Sequence, residues 1–133
     1  MEVKVMKNIL GANDEVAASN RELFRAKNVT VVNLMGSPGS GKTTLLEKTL
    51  EKISDKVSVA VIEGDLFTAR DAERIERLNV PVVQINTAGG CHLDAAMVKR
   101  AAESLDLEKI QLLIVENVGN LVCPAEFDVG ENF

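Results

Sequence analysis

A chain of 133 residues that is 46% apolar and 26% charged has the composition of an ordinary globular domain, though a short one for a doubly wound sheet. A formal net charge of −5 and the absence of Trp and Tyr exclude a basic, aromatic-studded nucleic-acid surface, and the same acidity makes anionic membranes a poor partner. The opening Met1-Glu2-Val3-Lys4-Val5-Met6-Lys7 has no apolar core of signal-peptide length, and no apolar run approaches the ~18 residues of a membrane span, so a cytoplasmic chain is expected.

In chain order, Asn13 to Lys27 predicts a helix with Val16, Asn20, Leu23 and Phe24 near one face and Asn13 or Asp14 as its cap. Val29 to Met35 is apolar and β-branched and predicts a buried strand. A glycine-rich loop, Gly36 to Thr43, leads into Thr44 to Lys52, whose apolar residues have helical spacing. Val57 to Ile62 predicts a second strand closing on Glu63-Gly64-Asp65. Ala69 to Leu78 predicts a helix that buries Ala72, Ile75 and Leu78 and keeps Arg70, Asp71, Glu73, Arg74, Glu76 and Arg77 wet. Val80 to Ile85 is a third strand, with Pro81 at its start, where a missing N–H is tolerated. Leu93 to Leu105 is a helix packing on Leu93, Ala96, Met97, Ala101 and Leu105, and Gln111 to Val115 is a fourth strand.

Apolar strands without alternation, separated by amphipathic helices, indicate a mostly parallel sheet covered on both faces, a three-layer α/β fold. The expected organisation is an N-terminal helical segment, residues 1–28, packed on a phosphate-loop domain, residues 29–133, that is incomplete at its C-terminal side. Ligands of such sheets gather beyond the carboxyl ends of the strands. Gly36 to Thr43, Glu63 to Asp65, Asn86 to His92 and Glu116 to Gly119 should therefore share one edge.

The first of these segments, Gly36-Ser37-Pro38-Gly39-Ser40-Gly41-Lys42-Thr43, fits G-x-x-x-x-G-K-[ST] between a strand and a helix, the context in which that motif binds phosphate. Glycines let backbone N–H groups face the phosphates, Lys42 reaches the β- and γ-phosphates, and the Thr43 hydroxyl ligates Mg²⁺, above a helix N-terminus that favours anions. Thr44 completes the set. The competing reading is an unrelated glycine-rich turn.

Two strand-end acids suit phosphoryl transfer. Glu116 is followed three positions later by Gly119; an acid there orients Mg²⁺ or its water, and the glycine N–H senses the γ-phosphate. Asp65 is a candidate for the metal's outer shell or for positioning the attacking water. Lys42, Asp65 and Glu116 are thus the expected catalytic residues, and Thr43, Asp65 and Glu116 the expected Mg²⁺ site. An isolated strand-end acid more often only solubilises a loop.

Cys91 and His92, at the head of a helix, and Cys123 are the chain's cysteines and its histidine, and all follow strands on the nucleotide edge. Thiolate and imidazole suit zinc and nickel, but three ligands fall one short of a closed tetrahedral site and the spacing fits no zinc finger. A two-fold dimer would supply six. Spacing alone leaves open the alternative of structural cysteines and a surface histidine, and a reducing compartment disfavours a disulfide.

Taken together, Gly36 to Thr44, Glu63-Gly64-Asp65, Gly89-Gly90-Cys91-His92-Leu93-Asp94, Glu116 to Pro124 and Phe127-Asp128-Val129-Gly130-Glu131 closely resemble the hydrogenase nickel-incorporation GTPases of the SIMIBI class. The resemblance implies a GTPase that dimerises through a nickel or zinc site of Cys91, His92 and Cys123. It further implies delivery of nickel to the [NiFe] hydrogenase large subunit alongside other maturation proteins. Departures matter too: no Asn-Lys-x-Asp guanine-reading motif, N-terminal Cys-x-x-Cys or histidine-rich tract occurs in the 133 residues, and Ser37 stands where some dimerising ATPases carry an extra lysine. Guanine specificity therefore rests on the resemblance. The rivals are a urease-type nickel chaperone, whose Cys-Pro-His motif is here Cys123-Pro124-Ala125, and a phosphate-loop small-molecule kinase, for which Arg70, Arg74 and Arg77 are the available lid arginines.

Overall fold

A computed structural model describes the backbone of residues 2–65 and 70–133 and the side chains of residues 10–64 and 73–133. Four parallel strands form one sheet: β1 (Thr30–Leu34), β2 (Val59–Asp65), β3 (Val82–Asn86) and β4 (Leu112–Glu116), in the spatial order β1-β4-β2-β3. The strands alternate two apolar faces. Val31, Ala60, Ile62, Leu113 and Val115 join one core, while Val59, Val61 and Ile114 join the other. Helices α1 (Glu2–Ala26) and α4 (Ala95–Glu103) cover the first face, and α2 (Lys42–Ile53) and α3 (Arg70–Glu76) cover the second. This is the expected three-layer α/β architecture.

Helix α1 buries Asn13, Ala17, Asn20 and Phe24, positions separated by four, three and four residues and hence on one face. It ends where Asn28 takes a positive φ of 56°, a left-handed stop that asparagine tolerates. The expected start at Asn13 is wrong: the helix begins at Glu2, so Asn13 lies inside it and caps nothing of its own. Helix α4 is capped by Asp94, whose carboxylate accepts the Met97 N–H at 2.9 Å. Strand β2 runs on through Glu63 and Gly64 to Asp65, later than the predicted end at Ile62. Two short elements were not foreseen, a 3-10 turn at Leu107–Lys109 and the one-turn helix α5 (Cys123–Glu126). Among the described residues no helix is long and apolar enough to cross a membrane.

The strand order decides what meets at the ligand edge. Because β4 lies between β1 and β2, Glu116 stands in register with Leu34, just before the glycine-rich loop, and with Glu63 on the other side.

Candidate functional site

The loop after β1 borders a cavity of about 470 Å³ lined by Pro38 to Thr44, Glu63, Gly64, Arg74 and Glu116 to Gly119. Gly41 is the N-cap of α2 and offers no side chain to the helix's first N–H groups, which are left for an anion. Gly36 and Ser37 lie on the loop's far side, in a separate cleft shared with Met35, Leu45 and Leu121. Gly119 touches the loop directly: a Cβ there would sit 3.1 Å from Pro38 Cγ and 3.2 Å from its backbone.

Glu116 is buried, and its Oε1 accepts the Thr43 hydroxyl at 2.6 Å. Its Oε2 is equally buried and has no hydrogen-bond partner among the described residues. A carboxylate with a free buried oxygen beside a hydroxyl and a phosphate-binding loop is a donor set that fits Mg²⁺, directly or through its water. Thr43 and Glu116 would hold the ion. The backbone of Asp65 ends β2 beside Asn86, but its side chain lies outside the described residues. Glu63, buried and lining the cavity, is the acid of that segment whose side chain the structure does describe at the site. Sequence reasoning puts Glu63 on the ligand edge with Gly64 and Asp65 but chooses Asp65 as the segment's acid.

Arg74 corrects a second expectation. Instead of facing solvent with its neighbours it lines the cavity and donates from Nε and Nη2 to the Glu47 carboxylate on α2, at 3.1 and 3.3 Å. That hydrogen bond holds the Glu47 carboxyl below its usual range. Arg70 falls outside the described side chains.

The ligand atoms of Cys91, His92 and Cys123 all lie within 4.8 Å of one another, half-buried, close enough for one ion. Cys91 Sγ is 3.5 Å from His92 Nδ1, and the His92 ring stacks on Phe127 with centroids 3.9 Å apart. A hydrogen bond with the Cys123 thiol, then burial, push the Cys91 thiol up, so a metal binding here displaces a proton. Soft thiolates with an imidazole suit nickel or zinc.

Loop backbone ties the two sites together. Asn120 N–H donates to the Gly36 carbonyl at 2.9 Å, its Nδ2 donates to the Cys91 carbonyl at 3.3 Å, and its Oδ1 accepts from Val122 N–H and Cys123 N–H at 2.8 and 3.3 Å. Asn117 Oδ1 accepts from Leu93 N–H at 3.0 Å, next to His92. Neither asparagine was singled out from sequence, although both stand inside the Glu116 to Cys123 segment.

The family of the CobW/HypB/UreG nucleotide-binding domain matches residues 30–130, which takes in the cavity and the cysteine cluster. The chain belongs to that family. Within the CobW/HypB/UreG family it is 57% identical, over 97% of its length, to the hydrogenase maturation factor HypB of Azotobacter chroococcum mcd 1, of which it covers 42%. The crystal structure of HypB from Helicobacter pylori in complex with nickel superposes with a TM-score of 0.84 at 45% identity, over 90% of this chain and 57% of that one. HypB from Archaeoglobus fulgidus gives 0.83 at 41% identity, over 92% and 60%. The chain thus spans about half the length of the relatives it matches, and the resemblance read from its loop motifs is borne out.

Proposed function

We propose that the chain is the nucleotide- and metal-binding part of a GTPase that delivers nickel during [NiFe] hydrogenase maturation. The observation that carries this is the placement of a Cys91, His92 and Cys123 cluster one loop away from Glu116 and the phosphate loop, with Asn120 bonded to both. The hydrogenase factors among its relatives, one of them crystallised with nickel, favour this cargo over a urease chaperone's or a kinase's acceptor.

Gly36 to Thr44 cradle the triphosphate, with Pro38 to Thr44 lining the cavity and Lys42 neutralising the β- and γ-phosphates. Mg²⁺, when bound with the nucleotide, neutralises charge that develops on the transferred phosphoryl group. Glu116, through the oxygen not bonded to Thr43, would orient that ion or the attacking water; Gly119 N–H would sense the γ-phosphate, and Asp65 would complete the outer shell. Nickel is cargo, held by Cys91, His92 and Cys123. Met35, Leu45, Leu121 and Val122 are exposed apolar side chains, the first three around one cleft at this edge, and they support a homodimer closing over the metal site. Other maturation proteins and the hydrogenase large subunit would receive the metal.

The test is transfer. The chain is loaded with nickel, mixed with a chromogenic chelator, and given Mg²⁺ with GTP, GDP or a non-hydrolysable GTP analogue. Nickel release at a rate set by the nucleotide is expected; equal rates in all arms contradict the coupling. Phosphate release with GTP and not ATP checks guanine specificity.

A further inference from the structure

Two buried asparagines of α1 each hold both segments that carry the metal ligands. Asn13 Oδ1 accepts the Ala95 N–H at 2.9 Å, and its Nδ2 donates to the Asp128 carbonyl at 2.8 Å. Asn20 Nδ2 donates to the Ala95 carbonyl at 2.9 Å and to the Val129 carbonyl at 3.1 Å. Ala95 opens α4, directly after Cys91-His92-Leu93-Asp94, and Asp128 and Val129 follow the Cys123–Glu126 turn. One residue of α1 therefore measures the distance between the two ligand arms, and a second repeats the measurement two helical turns on.

The arms themselves are stiff. Leu93 is fully buried with its N–H on Asn117 Oδ1, and Asp94 caps α4, so the two residues between His92 and Ala95 are both anchored. On the other arm Phe127 stacks on His92, and Asp128 takes two 2.8 Å bonds from Arg21 Nη2. The 128–130 segment presses on α1 at Gly130, where φ is +95° and a Cβ would come within 2.7 Å of Asn20 Cβ. Helix packing alone needs no side chain on this face that donates or accepts; alanine at both positions would serve it. Asparagines that instead satisfy one of the orphan N–H groups of α4 and two carbonyls of the other arm fix a separation.

We propose that Asn13 and Asn20 are positioning residues of the metal site: α1 sets the spacing between the Cys91–His92 arm and the Cys123 arm and so tunes metal affinity and coordination from outside the ligand set. This rests on the reading of Cys91, His92 and Cys123 as the nickel or zinc site. Groups hydrogen-bonded directly to metal ligands typically change affinity about 10–100-fold when lost; Asn13 and Asn20 act one step further out, through Ala95, Asp128 and Val129, so the lower end of that range is expected. Asn13→Asp keeps the acceptor for Ala95 and loses the donor to Asp128, whereas Asn20→Asp sets oxygen against two carbonyls. Val98→Ala, in the core between α4 and the sheet, weakens packing and touches none of these bonds.

The experiment is a nickel titration of the intact chain and of these three variants, following thiolate-to-nickel charge-transfer absorption, with Tm and Mg²⁺–GDP affinity measured alongside. Asn13→Asp should lose on the order of tenfold in nickel affinity with an altered charge-transfer band, while GDP affinity stays within about twofold. Val98→Ala should lose Tm and keep both affinity and band. Asn20→Asp should show the larger metal effect; if it fails to fold, Asn13→Asp decides. Wild-type affinity and spectrum in Asn13→Asp overturn the proposal, and so does an equal loss of affinity in Val98→Ala at matched Tm. A flat or cysteine-independent titration of the unmodified chain brings down the metal-site reading and this proposal with it, a failure distinct from the variant results.

Discussion

Asn120 and Cys91 are joined by a 3.3 Å hydrogen bond from the asparagine Nδ2 to the cysteine carbonyl, while the same asparagine's N–H is held by Gly36, the first residue of the phosphate loop. A loop that nucleotide and metal both bias makes each ligand change the other's affinity by the same factor, commonly about 5–150-fold. Asn120→Ala should therefore shrink the ratio of nickel affinities with GTP and GDP to below about twofold, with nucleotide affinity in the absence of metal little changed. Nickel titration in the two nucleotide states measures it, and an unchanged ratio would remove Asn120 from the path.

Glu116 carries a second prediction because it trades stability for function. Its Oε2 is buried without a partner among the described residues, and a buried carboxylate short of partners costs folding free energy. Glu116→Gln keeps an oxygen for the Thr43 hydroxyl and removes the charge. The nucleotide-free variant should gain on the order of 1 kcal/mol in stability by urea unfolding, while Mg²⁺ loses most of its effect on GTP affinity. A destabilised variant with intact Mg²⁺ dependence would contradict the assignment.

Phe127 lies 3.9 Å from the His92 ring in a near-parallel stack at 13°. Such a contact contributes about 0.5–1.5 kcal/mol and fixes the ring's orientation. Phe127→Ala should weaken nickel binding roughly threefold to tenfold through His92, and should leave a Cys91 and Cys123 double variant unaffected. Isothermal titration of the single and combined variants separates the two contributions.

Acid should loosen the segment beyond the metal loop. Burial pulls the Asp128 carboxyl upward, but hydrogen bonds from Glu131, Arg21 and Gly130 N–H outweigh it and hold the group below its usual range. A folded pKa below the unfolded one means stability that is complete above the unfolded value of about 3.9 and is lost as pH falls through the folded value. Burial and then Asp128 raise the Glu131 carboxyl, so its cost is absent in acid and grows as pH climbs past the unfolded value. The Arg21–Asp128 pair is 45% and 37% exposed, so Asp128→Asn should cost less than about 1 kcal/mol at pH 7 and progressively less as pH falls through the folded value. Thermal melts across that range test the sign.

The strands, the sheet's parallel sense and the phosphate loop were legible because each rests on local pattern: β-branched runs, helical spacing and a glycine motif whose flanks agree. Ends were less so. Val57-Ser58 reads as strand, yet β2 begins at Val59, and its pairing with β3 carries it on to Asp65, so that Glu63, inside the strand, lines the cavity. Asn13 reads as a cap because capping is the commonest local use of asparagine; its true partners, Ala95 and Asp128, are distant in sequence and only the fold brings them near. Arg74 reads as solvated because an alternating charge pattern does not reveal Glu47 on the neighbouring helix. The cysteine–histidine cluster was visible as residue types, and its closeness only as geometry.

The most direct test of the account is a nickel and zinc titration of the purified chain with its mass followed by light scattering, repeated after replacing Cys91 and Cys123 with alanine. The account predicts saturation near a whole or half equivalent per chain, dependence on both cysteines and a shift to the dimer mass. Metal binding that survives the loss of both cysteines, or none at all, would contradict it and leave a phosphate-loop nucleotide-binding domain without cargo.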